Sequence, residues 1–232
     1  MKERKNILDY IVSYIKNNKQ ILWVLYVPAY FEFFTYLENR DNVTFHLIHS
    51  KIDDKIPFIK EFIIPYYLWF AYIAIAVVLF YIYDIENFKK LAVYLATGMT
   101  MFLVVSYVYP NVLNLRPGVI SGNGIIDKMV KGIYNNDTPT NVFPSIHVYN
   151  SIVVYVAIFK SDFRNKYKAL NVLCFVLSVL IIMSTVFLKQ HSIVDVVGAF
   201  LMAAVFYIPV YVINAEKVTK INSIKTLENS QE

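Results

Sequence analysis

The chain has 232 residues, of which 57% are hydrophobic, 16% are aromatic and only 17% are charged. About a quarter of the residues in a soluble domain are charged, so this composition excludes an ordinary soluble protein. The formal net charge of +5 fits basic loops beside anionic lipid headgroups and does not indicate a nucleic-acid partner.

The order of apolar and polar segments predicts an all-α, polytopic membrane protein with one membrane domain, residues 21–213. Residues 1–20 carry five basic side chains among apolar residues at helical spacing, which predicts an amphipathic helix on the cytoplasmic surface. Residues 214–232 are predicted to form a polar cytoplasmic tail. Six transmembrane helices are predicted in the membrane domain, at about 21–37, 63–83, 91–109, 147–160, 169–188 and 192–213.

The basic residues indicate which ends of these helices face the cytoplasm. With the N-terminus inside, the predicted cytoplasmic segments hold 14 Lys and Arg residues, and the outer segments hold 8 although they are longer in total. Cytoplasmic loops of membrane proteins carry an excess of Lys and Arg. We therefore expect a multi-pass protein of the cell membrane with both termini in the cytoplasm.

Three short polar stretches fall on the predicted outer side of the membrane. Ionisable residues at a membrane boundary are costly, so a functional role is the first hypothesis for them. The three stretches are 114–117 (Asn-Leu-Arg-Pro), 143–147 (Phe-Pro-Ser-Ile-His) and 184–195, which contains a His and an Asp four residues apart.

The third stretch is chemically the most informative. His191 and Asp195 are four residues apart, so on a helix they share one face. A carboxylate in that position can accept a hydrogen bond from one imidazole nitrogen and leave the other nitrogen free as a nucleophile. We therefore expect His191 to be catalytic and Asp195 to orient it.

The other polar side chains suit the binding of an anion. Arg116 offers a planar fork of donors that matches phosphate oxygens, and Lys189 offers a point charge. Ser145 adds a hydroxyl where the first N–H groups of the fourth predicted helix point outward. Each residue alone has a structural explanation, such as a snorkelling cation or a helix-end pair. Their joint occurrence on one predicted face favours a functional site.

The order Arg-Pro, Pro-Ser-x-His and Ser-x6-His-x3-Asp resembles the type 2 phosphatidic acid phosphatase (PAP2) superfamily. The resemblance covers about residues 90–213. It implies that His191 attacks phosphorus to form a phosphohistidine, that Asp195 orients it, and that His147 protonates the leaving oxygen. It also implies that Arg116 and Ser145 hold the phosphoryl oxygens. No metal and no cofactor are implied, because cationic side chains stabilise the developing charge.

The sequence departs from the family pattern at three positions. The family has Lys where this chain has Tyr109, commonly Gly where it has Ile146, and commonly Arg where it has Thr185. Two usual phosphate-binding cations are therefore missing. Lys189 is our predicted replacement for one of them. The altered second and third motifs resemble the inositol-phosphorylceramide synthase branch, whose members transfer a phosphorylated headgroup between lipids.

These features lead us to expect an enzyme that hydrolyses a phosphate or diphosphate of a membrane lipid at the outer leaflet. The first alternative is a lipid phosphotransferase, because an alcohol can resolve a phosphohistidine as well as water can. The second alternative is a catalytically silent membrane scaffold. The expected partners are the bilayer and a phosphorylated lipid, whose identity the sequence leaves open along with the oligomeric state.

Overall fold

A computed structural model describes residues 23–213 of the chain. The amphipathic segment predicted at 1–20 and the polar tail predicted at 214–232 lie outside the described residues. Helices dominate the described part, and apolar runs long enough for several turns explain why. The helices are α1 (Trp23–Glu38), α2 (Ile63–Tyr83), α3 (Ile85–Val108), α4 (Ile125–Asn136), α5 (Ile146–Lys160), α6 (Phe163–Lys166), α7 (Lys168–Phe187) and α8 (Ile193–Tyr207), which continues as a π-helix over Ile208–Ile213.

Within residues 23–213, four helical segments are long and apolar enough to cross a membrane. They have 20 to 24 residues each, and much of their apolar surface is exposed on the outside of the bundle. Exposed apolar surface of this extent is stable against lipid and unfavourable against water. The chain is therefore a membrane protein. The four segments are Lys60–Tyr83, Ile85–Val108, Lys168–Phe187 and Ile193–Ile213.

The count of six spans predicted from the sequence is not confirmed. The fourth predicted span is α5, which has 15 residues and a length of about 22 Å, shorter than a ~30 Å hydrocarbon layer. The first predicted span corresponds to α1, of which 16 residues are described. The third predicted span, 91–109, starts later than the helix does, because Asp84 caps a helix that already begins at Ile85.

The short helix α5 lies at the centre of the bundle. It packs against α2, α3, α7 and α8, and several of its apolar residues are fully buried. One close approach is at Gly98 of α3, where an added Cβ would lie 2.0 Å from the ring of Tyr149. A side chain at that position would force the two helices apart. Their spacing therefore depends on the missing side chain at Gly98.

The connections that precede α2, precede α5 and follow α7 gather at one end of the bundle. There β1 (His46–Leu47) pairs in parallel with β2 (Asn111–Val112), and Glu38 at the end of α1 accepts hydrogen bonds from Thr140 and Asn141. Ile59 N–H donates to the carbonyl of Phe187, which joins the loop before α2 to the end of α7. The three polar stretches of the sequence lie at this same end.

Helix α4 also lies at this end, in a segment where no helix was predicted. It is amphipathic, and its apolar side packs on residues from the start of α2 and the end of α7. The Lys60 ammonium lies 2.7 Å from Asp127 and ties α4 to the segment that precedes α2. This helix covers part of the loop end of the bundle.

Candidate active site

The turn between α7 and α8 holds His191 beside Asp195. The N–H groups of Gln190 and His191 both donate to the carbonyl of Thr185, so the chain turns back sharply after α7. Asp195 lies in the first turn of α8, where its carboxylate accepts the N–H of Ser192 at 2.8 Å and caps the helix. The same oxygen, Oδ2, lies 3.2 Å from His191 Nδ1. The predicted pair is therefore in contact.

The buried contact with Asp195 favours one tautomer of the His191 imidazole. The Asp195 side chain has no exposed surface and that of His191 is about one-tenth exposed. When Nδ1–H of a neutral imidazole donates to the carboxylate, the lone pair of Nε2 is left free. An imidazole in that state can act as a nucleophile or a base.

His147 is the second residue of α5 and is surrounded by rings. The centroid of its imidazole lies 4.6 Å from that of Tyr66, 4.3 Å from that of Trp69 and 5.8 Å from that of His191. The indole N–H of Trp69 donates to the carbonyl of His147 at 3.1 Å. The structure thus brings together the two histidines that are 44 positions apart in the sequence.

Ser145 links α5, which carries His147, to α8, which begins two residues after His191. It caps α5, because its Oγ accepts the N–H of Val148 at 3.3 Å, and its own N–H donates to the carbonyl of Asp195 at 3.2 Å. Two residues before it, Phe143 packs so closely on Gly198 of α8 that an added Cβ would lie 2.4 Å from the ring. The side chain of Ser145 is fully buried. Its hydroxyl therefore serves the helix cap in this structure.

Arg116 reaches the same region from the loop after β2. Its guanidinium stacks on the ring of Tyr134 with 4.6 Å to the centroid, and donates to the Tyr134 carbonyl at 3.3 Å and to Gln190 Oε1. Its Nε–H is buried without an acceptor among residues 23–213. Burial lowers the pKa of Arg116, and nearby Asp137 opposes that shift. An unpaired buried donor is costly, so an anion at this position would be stabilised.

Asp137 is a residue that the sequence analysis missed. It directly follows α4, and its Oδ2 lies 3.3 Å from the Tyr66 hydroxyl and 3.4 Å from Gln190 Nε2. Burial raises the pKa of the Asp137 carboxyl, and the nearby His191 imidazole and Arg116 guanidinium oppose that rise. The candidate site therefore contains a second carboxylate beside its cation. Asp137 has no motif around it, and only the fold brings it to the site.

Lys189 does not have a free ammonium group. Its Nζ donates to the carbonyls of Asp53 and Ile56, at 2.7 and 2.5 Å, and the side chain is almost fully buried. Its backbone has a φ of 53°, which places the residue in the left-handed region at the turn after α7. Both contacts hold the loop that precedes α2. The predicted role of Lys189 as a phosphate-binding cation stays a prediction.

The two positions where family cations are missing have structural contacts. The ring of Tyr109 stacks on that of His46 with 4.4 Å between centroids. Thr185 is buried, and its hydroxyl donates to the carbonyl of Ile182 at 2.8 Å. Neither side chain replaces the charge of the Lys or Arg that the family pattern has there.

A comparison with known protein families supports the resemblance that the three sequence motifs indicate. A family model described as the PAP2 superfamily matches residues 89–218, which are 130 of the 232 residues. The match includes Arg116, both histidines and Asp195, whereas the loop before α2, Tyr66 and Trp69 precede it. No curated protein and no solved structure matched the chain.

Proposed function

The chain belongs to the PAP2 superfamily, and from this premise we propose that it is a membrane lipid-phosphate phosphatase with a phosphohistidine intermediate. Members of this superfamily are phosphoesterases or phosphotransferases. The observation that carries the proposal is the pair of imidazoles with centroids 5.8 Å apart, one of them hydrogen-bonded to a buried carboxylate. A phosphoryl group between the two rings could be attacked from one side while its leaving oxygen is protonated from the other.

The proposed reaction has two steps. In the first, Nε2 of His191 attacks phosphorus, the bond from phosphorus to the leaving oxygen breaks, and His147 gives that oxygen its proton. In the second, water attacks the phosphohistidine, His147 takes a proton from the water, and the bond from phosphorus to Nε2 breaks. Asp195 holds His191 in the reactive tautomer and stabilises the positive charge that forms on it.

Arg116 is the proposed anchor for the phosphoryl oxygens. Its buried Nε–H has no acceptor in the described part of the chain, and a phosphate oxygen would supply one. The stack on Tyr134 and the bond to Gln190 fix the plane of the guanidinium before substrate arrives. Ser145 contributes by capping α5. The N–H groups at the N-terminus of this helix favour an anion beside His147.

The membrane arrangement is part of the proposal. We place six helices in the bilayer, with α1 and α5 added to the four long segments and with both termini in the cytoplasm. In this arrangement the loop end of the bundle, and with it the candidate site, faces the outer leaflet. A lipid can then bring its headgroup to Arg116 while its chains stay in the bilayer.

A phosphotransferase is the second candidate, and the charges around Arg116 favour it. Arg116 and the carboxylate of Asp137 lie close enough for each to shift the pKa of the other. With Tyr109 and Thr185 in place of cations, the site has less positive charge than the family pattern provides. A phosphodiester carries one negative charge fewer than a phosphomonoester, so this site suits transfer between lipids, as in the inositol-phosphorylceramide synthase branch.

One experiment separates the candidates. Purified protein in detergent–lipid micelles receives phosphatidic acid or a phosphatidylinositol with labelled phosphorus, each with and without diacylglycerol or ceramide as acceptor. Release of inorganic phosphate from phosphatidic acid supports the phosphatase, and label in a new lipid supports the transferase. His191→Ala is the control variant. Lack of turnover of every lipid by folded protein would contradict both and favour a silent scaffold.

A further inference from the structure

A loop between α1 and α2 lies across the turn that carries His191. The loop comprises residues 50–56, before α2, and precedes the region matched by the family model. The turn it contacts comprises residues 189–195, between α7 and α8. Each of the two segments supplies one charged side chain that binds the other segment.

Asp53 is the side chain that the loop supplies. Its Oδ2 accepts the hydroxyl of Ser192 at 2.6 Å, and its Oδ1 accepts the N–H of Ile193 at 2.9 Å. Oδ2 also accepts the N–H of Ser50 at 2.8 Å, which fixes the carboxylate within its own loop. Asp53 is 1% exposed. A buried carboxylate with three donors is held in one orientation, and so are the donors.

Lys189 is the side chain that the turn supplies in return. Its ammonium binds the carbonyls of Asp53 and Ile56, which closes the loop over the turn. Lys189 thus binds the backbone of the loop, and Asp53 binds the turn, so each segment holds the other. This arrangement explains why a lysine is buried two residues before His191 without pointing its charge at a ligand.

Ser192 connects Asp53 to the candidate catalytic pair. Its hydroxyl donates to Asp53, whereas its N–H donates to Asp195 Oδ2, the oxygen that lies 3.2 Å from His191 Nδ1. A displacement of Ser192 therefore moves Asp195 Oδ2 and the imidazole together. An error of about 1 Å in the position of a reacting group can lower a rate by about 100-fold.

We propose that Asp53 is a positioning residue for His191, and that it acts through Ser192 and Asp195. The proposal rests on the proposed function of His191 as nucleophile. Asp53 touches neither substrate nor phosphorus in this account. It sets the orientation of the imidazole and leaves the binding of the phosphate to Arg116. The lysine in the same contact, Lys189, has a positioning role as well.

The test compares Asp53→Asn with Asp54→Asn, using release of phosphate from dioctanoyl phosphatidic acid and thermal unfolding of the purified protein. Asn keeps one acceptor oxygen but replaces the other with an NH2 group, which cannot accept from Ser192 or Ser50. We expect kcat to fall about 10- to 100-fold while KM stays within about twofold. Asp54 is next in the chain, exposed, and paired with His49, so its variant keeps wild-type kcat and KM.

A milder variant protects the test against loss of folding. Ser192→Ala removes the hydroxyl link to Asp53 together with the acceptor for the N–H of Val194 at the start of α8, and we expect it to lower kcat about 3- to 10-fold. In the double variant the two effects overlap, because both changes break the same contact. Wild-type kcat in both single variants, or losses that match the unfolded fraction, would overturn the inference. If wild-type protein itself is inactive on this lipid and on the labelled lipids above, the proposed function fails instead.

Discussion

The two histidines of the candidate site are held by different forces. His191 is fixed by polar contacts, a hydrogen bond to Asp195 and a backbone turn closed on Thr185. His147 is fixed mainly by shape, because the rings of Tyr66 and Trp69 pack on its imidazole. Polar contacts select one tautomer and one direction, whereas ring packing excludes water and restricts position without selecting a tautomer.

This difference matches the tasks that we propose for the two residues. A nucleophilic imidazole needs one nitrogen without a proton when it attacks. The carboxylate of Asp195 provides this by holding the proton on the other nitrogen. A proton donor that later becomes an acceptor must change its protonation state within each turnover, and a fixed ionic partner would oppose that change. Changes to the polar contacts should therefore have larger effects on kcat than changes to the rings.

The largest effect is expected for Asp195→Asn. An amide can donate to Nδ1 and so favour the tautomer that has its proton on Nε2, which cannot attack phosphorus. We expect kcat to fall by about three to four orders of magnitude. The measurement is single-turnover phosphate release from the wild type and the variant at equal folded fraction. Less than tenfold loss would mean that the carboxylate does not orient the nucleophile.

A smaller effect is expected for Trp69→Phe. This change keeps a ring against His147 but removes the indole N–H that donates to its carbonyl. We expect kcat to fall about 3- to 10-fold and the free energy of unfolding to fall by about 1 kcal/mol. The matched control is Trp23→Phe in α1, which we expect to leave kcat unchanged. A loss as large as that of Asp195→Asn would erase the proposed difference between the histidines.

The smallest effect is expected for Asp137→Asn and concerns binding. Burial raises the pKa of this carboxyl, so it takes up a proton as the pH falls through a value above the usual Asp range. The uncharged form repels phosphate less, so KM of the wild type should fall toward low pH. The Asn variant should have a KM about 3- to 10-fold lower at neutral pH and lack this dependence.

The control for Asp137 is Asp162→Asn, because Asp162 is an exposed carboxylate at the opposite end of the bundle. It should keep the wild-type dependence of KM on pH. If Asp137→Asn raised KM instead, Asp137 would be a contact for the substrate headgroup. That result would favour the phosphotransferase.

Much of the fold is readable from hydropathy, because long apolar runs can be satisfied in a membrane only as helices. The helices over Ile63–Tyr83 and Lys168–Phe187 begin within one residue of their predictions. Helix α4 was missed because it is short and lies in a polar stretch, although its apolar residues recur at helical spacing. The role of the short helix α5 as the buried centre of the bundle depends on tertiary packing, which hydropathy does not report.

Part of the candidate site was likewise predictable from the sequence, and part was not. The contact of His191 with Asp195 was predicted from their spacing of four residues, although His191 precedes α8 and the turn before this helix brings it to the carboxylate. The positions of Asp53 and Asp137 were not, because each reaches the site by long-range folding and neither lies in a motif. Lys189 was predicted to replace a phosphate-binding cation, and the acceptors of its ammonium come from a loop more than 130 positions earlier in the chain.

The most direct test of the account is to trap the phosphorylated enzyme. Protein mixed with phosphatidic acid labelled at phosphorus is quenched with alkali within one turnover, and the labelled peptide is identified by mass spectrometry. The account predicts an acid-labile, alkali-stable phosphoramidate on His191, formed by the wild type and absent from His191→Ala. Label on another residue, or turnover by His191→Ala at the wild-type rate, would contradict it.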